Sequence, residues 1–365
     1  MESLYFDSSK SNNKKKALYA ALAVIGVVCI VGAIALATSG PSSLALQQFQ
    51  LEEQEFQEFM SLYNKEYSTP EEYVHRFQVF RDNAAYIRIH NSLGEDWTLG
   101  VNEFADLSFN EFGSIYLTSK VPKSALKATT TPKAVPSDLK IYPSWDWRQW
   151  GKVTSVKNQG QCGSCWAFSA TGAVESLWAI SNHTLIDLSE QELVDCSFSF
   201  GNSGCQGGWM NNAFEFIQQN GLTSESNYPY TATNNTCNYT LAAQSNITRI
   251  DGYQIPVSNS SVWLEISLLT NPVSVAVQAD QKVWQLYKGG VVTKNCGTDL
   301  DHGVLVVGYN SVVKKPYYIV KNSWGTQWGE QGYIRIGIED GVGVCGIQMY
   351  PSYPFYLNPY NATKA

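Results

Sequence analysis

The hydrophobic positions of the chain fall into distinct textures. Ala17 to Ala37 run apolar and uncharged for 21 positions, long enough as a helix to span a hydrocarbon core of roughly 30 Å. From Leu46 to about Leu93 large side chains recur at helical spacing (Phe49, Phe56, Phe59, Tyr63, then Tyr73, Phe77, Phe80). The break at Ser68-Thr69-Pro70 predicts two helices there. Residues 118–140 have three prolines, several Lys and Thr, and no aromatic residue, which is linker composition. Cys165 to about Ile180 returns to a helical period through Phe168, Val174, Leu177 and Trp178. From Pro272 onward the runs VSVAV, HGVLVVGY, YYIVKN and YIRIGI alternate as strands do. The part beyond Ile141 is therefore helical first and β-rich second, and no internal repeat is present.

Charge orients the first segment. Lys10, Lys14, Lys15 and Lys16 precede it and no Lys or Arg follows until Lys65, which leaves the tail 1–16 cytosolic and the chain beyond about Ser39 lumenal. Residues 17–37 then act either as a retained type II signal anchor or as a signal peptide, since Ala35-Leu36-Ala37 fits a cleavage site. Asn-x-Ser/Thr triplets at Asn182, Asn234, Asn238, Asn246, Asn259 and Asn361 all lie on the lumenal side and are candidate glycosylation sites. The expected organisation is tail 1–16, membrane segment 17–37, a helical unit 46–117, a linker 118–140 holding a maturation cut, and a unit 141–365.

Composition narrows the class. A chain of 365 residues admits two or three domains, and 44% hydrophobic against 16% charged residues describes folded protein. A net charge of −7 leaves no general basic surface to neutralise phosphates, so nucleic acid is not an expected partner. Of eight cysteines, Cys29 lies in the apolar segment and Cys165 opens a helix; the other six allow 15 pairings, among which spacing does not choose.

Cys165 carries the candidate chemistry. A thiol at a helix N-terminus beside an imidazolium has its charged form favoured, and the thiolate is the nucleophile. Cys162-x-x-Cys165 also has the spacing of a redox pair or half a zinc site, but no second such pair completes it. The string Gln159-Gly-Gln-Cys-Gly-Ser-Cys165-Trp-Ala-Phe resembles the papain-like cysteine proteases, as do Asp301-His302-Gly and Lys321-Asn322-Ser-Trp-Gly downstream. Glu72, Arg76, Phe80, Asn83, Ile87 and Asn91 reproduce the interrupted E-R-F-N-I-N helix of cathepsin L-like proenzymes, and Gly100, Asn102, Phe104 and Asp106 their G-x-N-x-F-x-D element.

The resemblance implies an α+β, two-lobed papain-like fold, with Cys165 on a helical lobe and His302 and Asn322 on a β-barrel-like lobe. It implies that His302 moves the thiol proton and Asn322 orients its ring. Gln159 and the Cys165 N–H would form the oxyanion hole, and Trp324 would cover the His–Asn bond. It pairs Cys162 with Cys205, Cys196 with Cys237, and Cys296 with Cys345. Gly207 and Gly208 would offer a backbone edge to substrate. Met210, Ala276, Leu300, Gly303 and Tyr350 would line an apolar pocket for the second residue before the cut, taking Leu, Val, Phe or Tyr. Tyr350 departs from the small or acidic residue often found at that base and leaves Phe against Leu open. His183 and His302 are the only histidines beyond Ile141, so the His pair of an occluding loop is missing and endopeptidase action is expected.

The expected protein is thus a membrane-targeted zymogen of an acidic, lysosome-like compartment or the exterior. It is held by its own propeptide until acid loosens it, with Asp106 the candidate pH-sensitive residue. Expected partners are protein and peptide substrates, the propeptide and cystatin-like inhibitors, with a monomeric mature enzyme and no metal or organic cofactor. The rival reading is a non-catalytic family member acting as a binding protein.

Overall fold

Thr69 and Pro70 set the first feature of the fold. Thr69 Oγ1 accepts the Glu72 N–H at 3.1 Å, the Glu72 carboxylate accepts the Ser68 N–H at 3.0 Å, and Pro70 takes the first helical position. This reciprocal cap starts a helix where the hydrophobic pattern breaks. The computed structural model describes residues 43–119, 140–244 and 246–357. The apolar segment 17–37, most of the linker and Asn361 lie outside these, and among the described residues no helix is long and apolar enough to cross a membrane.

The chain divides into two units after Ala85. The first holds α1 (Ser43–Leu62) and most of α2 (Pro70–Ser92). Phe56 is fully buried at its centre, with the rings of Phe59, Tyr67, Tyr73, Phe77 and Phe80 at 5.2 to 5.9 Å. Arg81 closes the pair through Glu52 at 2.6 Å.

The second unit begins with the end of α2, then β1 (Trp97–Leu99), α3 (Phe109–Tyr116) and β2 (Ser144–Asp146). Helices α4 (Cys165–Asn182), α5 (Glu190–Cys196) and α6 (Met210–Asn220) follow, then β3 (Leu222–Thr223), α7 (Tyr239–Gln244), β4 (Asn246–Thr248), β5 (Gly252–Gln254) and α8 (Ser261–Leu268). The sheet-rich remainder is β6 (Val273–Val277), α9 (Lys282–Gln285), β7 (Tyr287–Val292), β8 (His302–Asn310), β9 (Tyr317–Lys321), β10 (Tyr333–Gly337) and β11 (Tyr353–Phe355).

Seven strands form one sheet in the order β1-β7-β10-β9-β8-β2, with β6 also paired to β8. Helix α4 is apolar nearly all round because it is buried, and Ser169 Oγ ties it to the sheet through Val304 O at 2.7 Å. Strands β1 and β7 carry no alternating signal in the sequence. β7 contains Gly289-Gly290, and β1 is three residues long, pairing antiparallel with β7. Gly290 sits at φ +98, and a Cβ there would fall 2.3 Å from Asp96 O, so only glycine lets the two strands close. β1 is steadied by Asn91, whose amide exchanges two 2.9 Å hydrogen bonds with the Leu99 backbone.

Three disulfides join Cys162–Cys205, Cys196–Cys237 and Cys296–Cys345, with sequence separations of 43, 41 and 49. Loops of that length correspond to about 4 kcal/mol each in the chain-entropy view. One boundary differs from the sequence reading. Thr118 and Ser119, assigned to the linker by composition, pack against the residues around Cys165, because their side-chain hydroxyls rather than apolar side chains hold them.

Candidate active site

Cys165 is the first residue of α4 and fully buried. The loop before it is pinned by the Cys162–Cys205 disulfide and by the Gly163 N–H donating to Cys205 O at 2.9 Å. Strand β8 meets the start of α4 at His302 and Gly303. A Cβ on Gly303 would lie 3.1 Å from Met210 Sδ and 3.2 Å from Trp166 Cα. Its absence lets the Gly303 N–H reach the Cys165 Sγ at 3.3 Å.

His302 Nε2 lies 2.8 Å from Asn322 Oδ1, which leaves the buried Nδ1 with no hydrogen-bond partner. The ring stacks on Trp324 at 4.7 Å and 23°. Trp324 Nε1 donates to Gln159 Oε1 at 3.1 Å, and Ser323 Oγ donates to the same oxygen at 2.7 Å. With its oxygen held by two donors, the Gln159 amide must turn Nε2 the other way, toward Cys162 O at 2.9 Å and Tyr116 O at 3.4 Å.

Burial governs the titration of this group. It pushes the Cys165 thiol up, against the lowering effect of the Gly303 N–H and the Ser119 hydroxyl. It pushes His302 down to about 4, against the raising effect of Asn322. Burial thus disfavours the charged form of both groups in the covered site. Asp301 is also buried and pushed up to about 7, while its carboxylate accepts the N–H groups of Ala279 at 2.7 Å and Asp280 at 3.2 Å.

The cover is residues 100–119. Phe104, Phe112 and Tyr116 surround Trp324 with centroids at 5.6, 5.2 and 6.3 Å. Asn102 Nδ2 donates to Gln285 O at 2.8 Å, and Gln285 Nε2 returns to Phe104 O at 3.0 Å. Asp106 is buried in the same stretch, and Gly100 lies so near Lys288 that a Cβ would meet its Cδ at 2.8 Å. Thr118 Oγ1 donates to Gly163 O at 3.3 Å, and the Gly208 N–H donates to Ser119 Oγ at 3.4 Å. Residues 116–119 thus occupy the Gly207–Gly208 edge and the Gln159 amide together. Phe112, Tyr116 and Ser119 were not identified from the sequence. Phe112 and Tyr116 read as ordinary helix residues, and Ser119 sits in linker composition.

Met210, Ala276 and Leu300 belong to one buried apolar cluster, against which Tyr350 packs. The Tyr350 hydroxyl accepts Asn211 Nδ2 at 3.1 Å, and its ring meets Trp209 edge-on at 6.2 Å. Of the first helix pattern, Phe80, Asn83 and Ile87 are buried, and Glu72 and Arg76 are half-buried. Among the described residues no His/Cys/Asp/Glu cluster suits a metal ion.

Residues 141–355 match the papain family cysteine proteases, and residues 56–112 match the cathepsin propeptide inhibitor domain. The chain belongs to the papain family of cysteine proteases. It is 40% identical over 343 residues to the senescence-specific cysteine protease SAG39 of Oryza sativa subsp. indica, covering 91% of this chain and 97% of that protein. It is 46% identical over 296 residues to cysteine proteinase EP-B 1 of Hordeum vulgare, covering 78% and 79%. Among solved structures, digestive procathepsin L 3 of Tenebrio molitor superposes with a TM-score of 0.75 at 40% identity, covering 84% of this chain and 99% of that one. The recombinant stem bromelain precursor gives 0.77 at 38% identity, covering 84% and 99%. This papain-family protease is accordingly made as a proenzyme, with its own propeptide as inhibitor and residues 100–119 as the stretch that covers Cys165.

Proposed function

We propose that the mature protein is an endopeptidase working through Cys165, His302 and Asn322. The observation that carries this reading is the His302–Asn322 bond at 2.8 Å, which occupies Nε2 and leaves Nδ1 as the nitrogen free to exchange a proton. When the cover leaves, water and the helix N-terminus favour the charged pair, and Nδ1 takes the Cys165 proton. The thiolate attacks the substrate carbonyl. The Gln159 Nε2 and the Cys165 N–H stabilise the oxyanion as the C–S bond forms. The imidazolium returns its proton to the leaving amine as the C–N bond breaks, and a water activated by His302 then hydrolyses the thioester. Asn322 is neutral, so it orients the ring without adding a third charge.

Substrate lies in extended form along Gly207 and Gly208, with an apolar residue two before the cut against Met210, Ala276, Leu300, Gly303 and Tyr350. The apolar segment 17–37 and the six sequons support passage through the secretory route to an acidic vacuole or the exterior. There acid loosens the cover, and cystatin-like proteins compete for the same cleft. The experiment is to acidify the purified proenzyme with a thiol reductant and follow cleavage of a peptide with Leu or Phe two before the cut, beside Cys165→Ser. Activity that rises as the pro-region is lost, and is absent in the variant, is the expected result. A fully processed, folded wild type that cuts no peptide overturns the reading in favour of a binding protein.

A further inference from the structure

The Gly207–Gly208 edge has a neighbour that the protease chemistry leaves unused. Asn234 begins the triplet Asn234-Asn235-Thr236 and is exposed. Its Oδ1 accepts the Cys205 N–H at 2.7 Å, and its Nδ2 donates to Gln206 Oε1 at 2.7 Å. The seat is tight, since a Cβ on Gly204, at φ +57, would fall 2.2 Å from that Oδ1. Gly204 O in turn accepts Trp166 Nε1 at 3.2 Å, Cys205 is bonded to Cys162, and Gln206 immediately precedes the two glycines. Asn234 therefore stands on the rim of the cleft, on the loop against which Thr118 and Ser119 lie.

The other sequons with described side chains are placed differently. Asn182 ends α4, about 25 Å along the helix from Cys165 at 1.5 Å per residue. Asn238 is turned into the start of α7, where its Oδ1 accepts the Leu241 N–H at 3.2 Å, and Asn259 lies in the loop before α8.

We propose that Asn234 carries an N-linked glycan that screens the cleft on the side binding substrate residues upstream of the second before the cut. This rests on the secretory reading above. In the transfer, Nδ2 loses one proton and bonds to the anomeric carbon of an oligosaccharide, while the bond from that carbon to a polyprenyl diphosphate breaks and the diphosphate leaves. The Asn234 carbonyl is untouched and one N–H remains, so the bonds to Cys205 and Gln206 persist and fix where the first sugar starts. Short peptides pass beneath such a screen, whereas long chains and folded proteins meet it.

The test uses the full chain secreted from a eukaryotic host and matured, with Thr236→Ala, which keeps Asn234 and its hydrogen bonds, and Asn234→Asp, which keeps the acceptor on Cys205. Glycopeptide mass spectrometry is expected to find Asn234 occupied in the wild type and bare in both variants. Removal of the glycan should raise kcat/KM on an upstream-extended peptide and on a folded protein by about three- to tenfold, a barrier change of about 1 kcal/mol. A dipeptide amide should be cut at an unchanged rate. A bare Asn234 in a chain whose other sequons are occupied overturns the proposal, as does an equal effect, or none, on short and long substrates. If no sequon is occupied, the secretory reading falls with it. A dipeptide left uncut by every form points instead to failure of the protease reading.

Discussion

The Cys165 thiol donates to Ser119 Oγ at 3.4 Å, and that oxygen also accepts the Gly208 N–H at 3.4 Å. One hydroxyl thereby engages both the proposed nucleophile and the backbone edge proposed to receive substrate. Ser119→Ala should weaken the cover by about 1 kcal/mol or less, the net value of a neutral hydrogen bond. A several-fold faster self-processing of the zymogen at fixed acidic pH is the expected outcome, followed as loss of the full-length band. An unchanged time course would show that the hydroxyl contributes nothing.

Phe112 is fully buried and packs edge-on against Trp324 at 5.2 Å. Phe112→Ala removes a whole ring from this contact, a change that costs about 3 to 5 kcal/mol in cores. The freshly purified zymogen should then hydrolyse a small peptide at neutral pH without acidification. Latency equal to the wild type would place the inhibitory energy elsewhere in residues 100–119.

Asn322 fixes the His302 ring from Nε2 at 2.8 Å, and its own Nδ2 is buried without a partner. Asn322→Ala frees the ring to turn while leaving the substrate edge in place. We expect kcat to fall by about 10²-fold with little change in KM, which steady-state kinetics on the matured enzyme measures. A loss confined to KM would assign Asn322 to substrate binding instead.

Glu192 is buried, its carboxylate accepts the Thr223 N–H at 2.8 Å, and burial pushes it up to about 7 from 4.5. A carboxyl whose folded pKa is raised binds its proton more tightly when folded, so the stability it supports is greatest below 4.5 and is lost as pH rises from 4.5 to 7. His302, pushed down to about 4 from 6.5, acts oppositely and lowers stability as pH falls through that interval. In a Cys165→Ser background, Glu192→Gln should flatten the loss of stability on the neutral side by at most about 3 kcal/mol. Urea midpoints measured across about pH 5 to 8 test this; parallel curves for the two proteins would contradict it.

Tyr350 packs on the apolar cluster of Met210, Ala276 and Leu300, and Asn211 holds its hydroxyl at 3.1 Å. Tyr350→Ala should deepen the pocket and shift the kcat/KM ratio toward Phe over Leu at the second position before the cut by about tenfold, in the range that pocket size controls. A substrate library that returns the wild-type ratio would remove Tyr350 from the pocket.

Proton transfer from Cys165 to His302 leaves the number of bound protons unchanged. Burial under the cover, however, pushes His302 down to about 4, so acid that protonates His302 favours release of the cover alongside the carboxyl groups outside that pair.

Much of this was legible one segment at a time. The break at Thr69-Pro70, the helix opening at Cys165 and strands β6, β8, β9 and β10 follow from local caps and from hydrophobic period, which act over a few residues. The motifs around Cys165, His302 and Asn322 identified the family because those strings are specific. What the sequence alone did not reveal depends on residues distant in the chain. Gly290 is needed only because β1 closes on β7, and Gly303 only because β8 crosses the start of α4. Phe112 and Ser119 became part of the site only when the fold set them on Trp324 and Cys165. The titration of Cys165 and His302 was likewise decided in three dimensions: the sequence placed a thiol at a helix N-terminus, but burial beneath residues far from it in sequence disfavours the charged form of both groups.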